Sequence, residues 1–197
     1  MLDPRILETF GELYERALAS AEPTPTAMNL ATVDAAGRPR SRVVLLKDFG
    51  PEGFDFYTNY DSAKGTEIAA HAAVALCVHW PTLGEEGGTQ VRIEGRAEQL
   101  PPEVSDAYFA TRPRGSQLGA WASLQSQTLP ERADFDTRYA KYEQEFDGSD
   151  VPRPPHWGGY RVVPDRVEFW YGASYRLHER VYWEFAEDRW ESRLLYP

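Results

Sequence analysis

The stretch Trp170-Tyr-Gly-Ala-Ser-Tyr-Arg-Leu-His-Glu-Arg180 sets Arg176, His178 and Arg180 at alternate positions. On a strand such residues share one face, and basic groups side by side repel unless acids or an anionic ligand offset them. Glu179 points the other way, so the pattern asks for an anion. A second stretch, Tyr108-Phe-Ala-Thr-Arg-Pro-Arg-Gly-Ser-Gln117, gathers Arg112, Arg114 and Ser116 with no acid among them. Guanidinium and hydroxyl donors at that density suit a phosphate or carboxylate. In Tyr57-Thr-Asn-Tyr-Asp-Ser-Ala-Lys64, the hydroxyls of Tyr57, Thr58 and Ser62 precede a lysine in the first turn of a helix. That set either cradles a phosphate with amides, helix dipole and ammonium or simply caps the helix. In Arg42-Val-Val-Leu-Leu-Lys47, cations flank an apolar strand and point to opposite faces. Such a strand either lies across a planar apolar ring with charge at its edges or has solvated ends.

These basic clusters stand out because the chain is acidic. It has 21 Lys plus Arg against 31 Asp plus Glu, a formal net charge of −10. A surface of that sign disfavours nucleic acid and anionic membranes as partners. The single cysteine excludes an internal disulfide, and Cys77, in the apolar run Val74-Ala-Leu-Cys-Val78, reads as a small core residue. No metal site is expected, since His71, His79, His156 and His178 lack partners at ligand spacing. Phosphate-binding glycine motifs of the G-x-G-x-x-G and P-loop types are absent, and Ser116 is out of register for G-x-S-x-G. Without a basic segment leading into an apolar one, or a long apolar run, the chain is expected to be soluble and cytoplasmic.

The elements that must position these clusters follow from periodicity and turn residues. Residues 3–20 read as a helix with Asp3 as N-cap, Pro4 at the first position and one apolar stripe from Ile6 to Leu18. Strands are expected at 28–33, 40–47, 54–58, 74–80 and 90–99, with a short helix from Ser62 to about residue 70 and a Gly-rich connection at 84–88. A helical insertion at about 101–146 follows, with helices near 101–111, 116–122 and 132–146; Val104, Tyr108 and Thr111 would share a face of the first. After the Pro-rich spacer at 151–155, C-terminal strands within 157–197 are expected at 159–163, 166–171, 176–185 and 190–195, the last two joined at Glu187-Asp188. The whole, residues 1–197, reads as one α+β domain: a six- to eight-stranded antiparallel β-barrel decorated by α-helices.

Taken together, several motifs resemble a known family. They are Arg42-Val-Val-Leu-Leu-Lys47, Phe56-Tyr-Thr-Asn59, Arg112-Pro-Arg-Gly-Ser-Gln-Leu-Gly-Ala-Trp121, Gln125-Ser126, Trp157-Gly-Gly-Tyr160, Val167-Glu-Phe-Trp170, Arg176-Leu-His-Glu-Arg180 and Arg193-Leu-Leu-Tyr-Pro197. In this order and spacing, from about residue 26 to 197, the chain resembles the pyridoxamine (pyridoxine) 5′-phosphate oxidases, FMN-binding split barrels. Phenazine-pathway oxidases share the Arg-Leu-His-x-Arg end, but the segment from Arg112 to Trp121 is more similar to the vitamin B6 enzymes.

The resemblance implies a homodimer with FMN at the subunit interface, a B6 5′-phosphate substrate, and O2 as acceptor giving H2O2. It implies cofactor contacts from Arg42, Val43, Val44, Leu45, Leu46 and Lys47 along the flavin. Tyr57, Thr58 and Lys64 would lie around its phosphate and ribityl chain, Gln90 at the ring edge, with Gln125, Ser126, Trp170 and Arg180 completing the site. Lys47, Tyr108, Arg112 and Ser116 would hold the substrate phosphate. Arg176 and His178 would lie near the pyridine ring, as substrate-binding and catalytic residues. Other readings are an FMN split-barrel oxidase of another aromatic ring, such as a phenazine precursor, and a non-catalytic FMN or B6-phosphate binder. Two departures bear on the site. Ala63 stands where the family usually has Arg, which implies weaker FMN retention, and the chain begins at its first helix without the basic arm that many members close over the site.

Overall fold

The computed structural model describes residues 1–84 and 86–197; Glu85, in the expected 84–88 connection, lies outside the described residues. Helix α1 (Pro4–Ala19) starts where Asp3 accepts from the Arg5 amide at 2.9 Å. Of its expected stripe, Ile6, Phe10, Leu13 and Ala17 are buried while Leu18 is exposed, and Phe10 meets the rings of Phe49, Phe54 and Trp80. Each such fully buried large side chain stabilises by roughly 1.5–3 kcal/mol.

The strands form one antiparallel sheet. They are β1 (Ala27–Val33), β2 (Pro39–Leu45), β3 (Asp48–Gly50), β4 (Gly53–Asn59), β5 (Ala73–Trp80), β6 (Thr89–Gln99), β7 (Trp157–Tyr171), β8 (Glu179–Ala186) and β9 (Arg189–Leu195). Their order is β2-β1-β5-β6-β7-β4-β3, with β8 on β7 and β9 on β8. The sheet curls into a split barrel: where β2 ends, the Lys47 amide donates to the Asp55 carbonyl of β4 at 2.9 Å. Alternate residues such as Met28, Leu30, Leu76, Val78, Val91 and Ile93 fill the interior, the period of two that a one-sided strand requires. Helix α2 (Ala63–Ala70) follows β4. Helices α3 (Pro102–Ala110), α4 (Arg114–Ala122) and α5 (Arg132–Glu145) interrupt the strands. They bury Phe109, Leu118 and Trp157 in a second core, against which Tyr139, Tyr142 and Phe146 pack. Among the described residues no helix is long and apolar enough to cross a membrane.

Several expectations are corrected. Among the described residues there are nine strands, because the short β3 pairs with β4 beyond the reach of a period-two reading. The segments 159–163 and 166–171 are one strand, β7, whose register against β6 shifts between Glu94 and Gly95. Pro164 has no amide to give the ladder, and a bulge absorbs it. Gly95 is needed there, since a Cβ would lie 2.1 Å from the Val163 carbonyl oxygen. The strand expected at 176–185 starts only at Glu179. Tyr175 and Arg176 take left-handed backbone, φ 59° and 63°, inside a 3-10 turn at Ser174–Arg176. The alternation of Arg176, His178 and Arg180 therefore does not put them on one strand face. On α3 the buried residues are Ser105 and Phe109; Val104 is exposed, while Tyr108 is partly buried against the second core. Cys77 is half-buried rather than a core residue, and burial raises its thiol pKa. The Glu187-Asp188 turn is as expected, with φ 51° and 61° as a tight hairpin needs.

Candidate functional site

A cavity of about 500 Å³ opens between the barrel and the inserted helices, within the usual range for small-molecule sites. Its floor is β2, where Val43 and Leu45 face outward at 66% and 39% exposure while Val44 turns in. One wall is β4 with Lys64 of α2; the other is the junction of α3 and α4.

Ser62 caps α2, accepting from the Gly65 amide at 3.3 Å. Its hydroxyl thus has the capping role that the sequence left open. Capping aims the first turn at the cavity, where Lys64 Nζ donates to Gln125 Oε1 at 2.9 Å and Thr58 Oγ1 at 3.2 Å. Burial, and then the charge of Arg42, push the Lys64 pKa down. The next residue, Ser126, adopts φ 74° and accepts from the Ala63 amide at 3.1 Å. A non-glycine residue in that region is a strain the surrounding structure must hold in place.

Where β4 meets α3 and the start of β7, the cavity is aromatic. Tyr57 stacks on Tyr108 at 4.0 Å and on Trp157 at 5.4 Å. Burial, with Asp55 adding to it, pushes the Tyr57 hydroxyl up to about 12, so it stays a neutral donor. Gly159 permits this stack, since a Cβ there would meet the Tyr57 ring at 2.8 Å. Arg112 lies over Trp157 with its guanidinium carbon 4.5 Å from the ring centroid. Its Nη1 is buried without a hydrogen-bond partner, the one such side-chain atom among the described residues. Burial lowers its pKa. Lys47 and Ser116 line the same space. The structure thus gathers Val43, Val44, Leu45, Lys47, Tyr57, Thr58, Lys64, Tyr108, Arg112, Ser116 and Gln125, with Ser126 beside them.

Three expected contributors are used differently. Arg42 donates to Thr32 Oγ1 at 2.5 Å and pairs with Glu67 at 2.7 Å. Burial alone would raise the Glu67 carboxyl, but hydrogen bonds from Thr32 and Arg42 outweigh it and hold it low. Leu46 puts its side chain into the barrel core. Arg114 leaves the anion cluster read from the sequence: it donates to the carbonyls of Phe146 and Ser149 beyond the end of α5. The positive ends of its side chain meet the carbonyls a helix C-terminus leaves free.

The remaining expected residues form a second group. Gln90 on β6 opposes Trp170 on β7, which opposes Arg180 on β8, so the three share a face of the sheet. Arg180 pairs with buried Glu168 at 2.8 Å, which raises the guanidinium pKa. His178 packs on Trp170 at 4.5 Å. Its Nδ1 faces the Ala173 amide at 3.2 Å, so the neutral ring carries its proton on Nε2. Arg176 is exposed in the turn. None of these residues lines the cavity. Trp157 stands at one end of β7 and Trp170 near the other, so roughly 40 Å of strand separates the two groups.

Sequence reasoning did not pick out Asn59, Thr111 and Trp157 as lining residues, or Glu67 as the partner of Arg42. The motif Trp157-Gly-Gly-Tyr160 held a signal for Trp157: paired glycines in a strand mark a close approach.

The family model described as pyridoxamine 5′-phosphate oxidase matches residues 14–146. A second, described as the pyridoxine 5′-phosphate oxidase C-terminal dimerisation region, matches residues 157–197. The chain is 51% identical to a pyridoxine/pyridoxamine 5′-phosphate oxidase of Myxococcus xanthus (strain DK1622), covering 100% of this chain and 94% of that protein. It is 54% identical to the protein of that name from Xanthomonas euvesicatoria pv. vesicatoria (strain 85-10), covering 97% and 96%. Among solved structures, PhzG from Burkholderia lata 383 in complex with tetrahydrophenazine-1-carboxylic acid superposes with a TM-score of 0.87 at 29% identity, covering 99% of this chain and 93% of that one. A pyridoxamine 5′-phosphate oxidase-related, FMN binding protein of Nostoc punctiforme PCC 73102 shares the fold, with a TM-score of 0.77 at 18% identity and full coverage of both chains.

Proposed function

Because the chain belongs to the pyridoxamine 5′-phosphate oxidase family, we propose that it oxidises pyridoxamine and pyridoxine 5′-phosphates to pyridoxal 5′-phosphate, with FMN as cofactor and O2 as acceptor. The observation that carries this reading is Arg112. It is a half-buried guanidinium whose Nη1 is buried and unpartnered, beside Lys47, Tyr108 and Ser116. In a chain of net charge −10, cations without carboxylates collected in one cavity call for an anion from outside, and a phosphate ester meets that need with charge-assisted hydrogen bonds.

The donor set also fits FMN. Outward-facing Val43 and Leu45 offer an apolar ledge for the ring system, and Lys64, Thr58, Gln125 and Ser126 cluster at the start of α2, as a phosphate arm requires. When bound, FMN supplies the redox chemistry, accepting a hydride from the substrate C4′ and returning the electrons to O2 as H2O2. The protein binds and orients. Lys47, Tyr108, Arg112 and Ser116 hold the substrate phosphate, and His178, with its Nε2 proton available, faces the pyridine ring. Arg176 stabilises charge there rather than taking protons, since a guanidinium is a poor base.

Two groups at opposite ends of β7 cannot embrace one ligand pair within a single chain. We therefore place Gln90, Trp170, Arg176, His178 and Arg180 of one protomer over the cavity of a second, with FMN at the interface of a homodimer. Exposed Leu177, Leu194 and Tyr196, all within the segment matched as a dimerisation region, supply apolar contact surface.

The test is direct. The purified protein, loaded with FMN, is given pyridoxine 5′-phosphate while peroxide and aldehyde are followed. Formation of both in equal amounts is the expected result. A flavin-loaded protein that makes neither, yet oxidises a reduced phenazine carboxylate, would transfer the reading to the chemistry suggested by the PhzG likeness.

A further inference from the structure

We propose that Trp157 is a positioning residue for the substrate phosphate: its ring is the platform that fixes the Arg112 guanidinium in the cavity. The inference rests on the reading of Arg112 as a phosphate ligand and adds a residue to it.

Arg112 stands just beyond α3, before Pro113 and α4, and has no carboxylate partner among the described residues. With its Nη1 unpartnered and its charge half-buried, its side chain is held by aromatic faces. Trp157 is 4.5 Å from the guanidinium carbon and Phe109 5.6 Å. A guanidinium over a ring is attracted by the ring's negative face, while its N–H edges stay free for two-point contact with phosphate oxygens. A carboxylate partner would hold the arginine too, but would consume those edges.

The platform itself is rigid. The Trp157 amide donates to the Pro154 carbonyl at 3.1 Å, and its carbonyl accepts from Arg153 Nη1 at 2.6 Å. Arg153 is anchored in turn on Asp106 of α3 at 2.6 Å. Across the sheet Trp157 is in register with Asn59 of β4. Its ring is stacked by Tyr57 and met edge-on by Phe109. Trp157 thus ties the aromatic wall of the cavity to the arginine on the inserted helices, and a barrel strand sets the position of a side chain carried by a loop.

The experiment uses FMN-loaded protein and two ligands that cannot be oxidised at C4′: 4-deoxypyridoxine 5′-phosphate and 4-deoxypyridoxine. Their dissociation constants are read from the perturbed flavin absorbance, without turnover. Trp157→Leu is expected to weaken the phosphorylated ligand about tenfold and the unphosphorylated one by less than about twofold, with Trp157→Phe, which keeps a ring, losing about threefold. In an Arg112→Ala background Trp157→Leu should add nothing. Equal weakening of both ligands, or an additive loss in the Arg112→Ala background, would make Trp157 a merely structural residue and overturn the proposal. If Trp157→Leu fails to fold, the same comparison is made with Trp157→Phe. A parent protein that does not distinguish the two ligands would sink the functional reading and this inference together; a parental preference that survives Trp157→Leu undiminished sinks this inference alone.

Discussion

The two groups of basic residues differ in how their charge is met. Around the cavity, Lys47, Lys64 and Arg112 have no carboxylate partner among the described residues; Lys64 meets hydroxyls and an amide, and Arg112 aromatic faces. At the far end of β7, Arg180 is held by buried Glu168, and behind β2 Arg42 is held by Glu67. A paired arginine is set in place before any ligand arrives. An unpaired, half-buried one has lost water without compensation, and its environment improves when an anion enters. On the proposed reading, the difference separates the cations that would receive phosphate from those the protein itself holds to shape the surroundings.

The sharpest way to break that division is to mix variants. Arg112→Ala and Arg180→Ala are each expected to lower activity about 100-fold, since each removes charge-assisted contacts worth roughly 3 kcal/mol together. If one protomer supplies the cavity and its partner the row on β6–β8, refolding the two variants together should restore about a quarter of the parental activity, because half of the dimers then hold one intact site. No recovery would place both groups in one chain's site.

A smaller effect concerns the cofactor arm. The Lys64 pKa is depressed, so in the flavin-free protein its ammonium is lost at a pH below the ordinary lysine value of 10.5. A bound phosphate favours the charged form, so FMN affinity should fall as pH rises through that range, by about tenfold for one charge-assisted contact. Riboflavin, titrated in parallel, carries no phosphate and should show no such fall. Matching profiles for the two flavins would remove Lys64 from the phosphate arm.

The smallest expected effect tests the paired cations. Glu67 is buried, and its folded pKa lies below the ordinary 4.5. Its contribution is therefore present above that value and is lost as pH falls through the folded pKa. Glu67→Gln should cost about 1–2 kcal/mol at neutral pH. The gap in urea midpoint between parent and variant should close in acid. A gap that persists there would mean that Glu67 acts by packing rather than by charge.

Much of the architecture could be read in the chain. The Asp3 cap, the α1 stripe, the Ser62 cap and the Glu187-Asp188 hairpin are local features, each decided by residues within a few positions of one another. Tyr108, Arg112 and Ser116 converge for a similar reason, carried on two short consecutive helices and the turn between them. The misreadings arose where backbone geometry overrode side-chain pattern. The alternating Arg176, His178 and Arg180 looked like a strand face, but two left-handed residues break the alternation. Pro164 looked like a strand end, but a bulge opposite Gly95 carries the ladder through it. Arg114 looked like an anion ligand, but the carbonyls near the end of α5 reach it first.

The sequence by itself determined which residue types were available for anion chemistry, and its ordered motifs placed the chain in a family. Periodicity and turn residues, being short-range, were enough for the elements. Only the tertiary structure decided which cations are neutralised: Glu67 and Glu168 lie 25 and 12 positions from the arginines they hold, and strand packing, not spacing, brings them there. It also decided that Trp157 underlies Arg112. A ring becomes a platform only when a strand and a helix junction distant in sequence are packed within van der Waals reach.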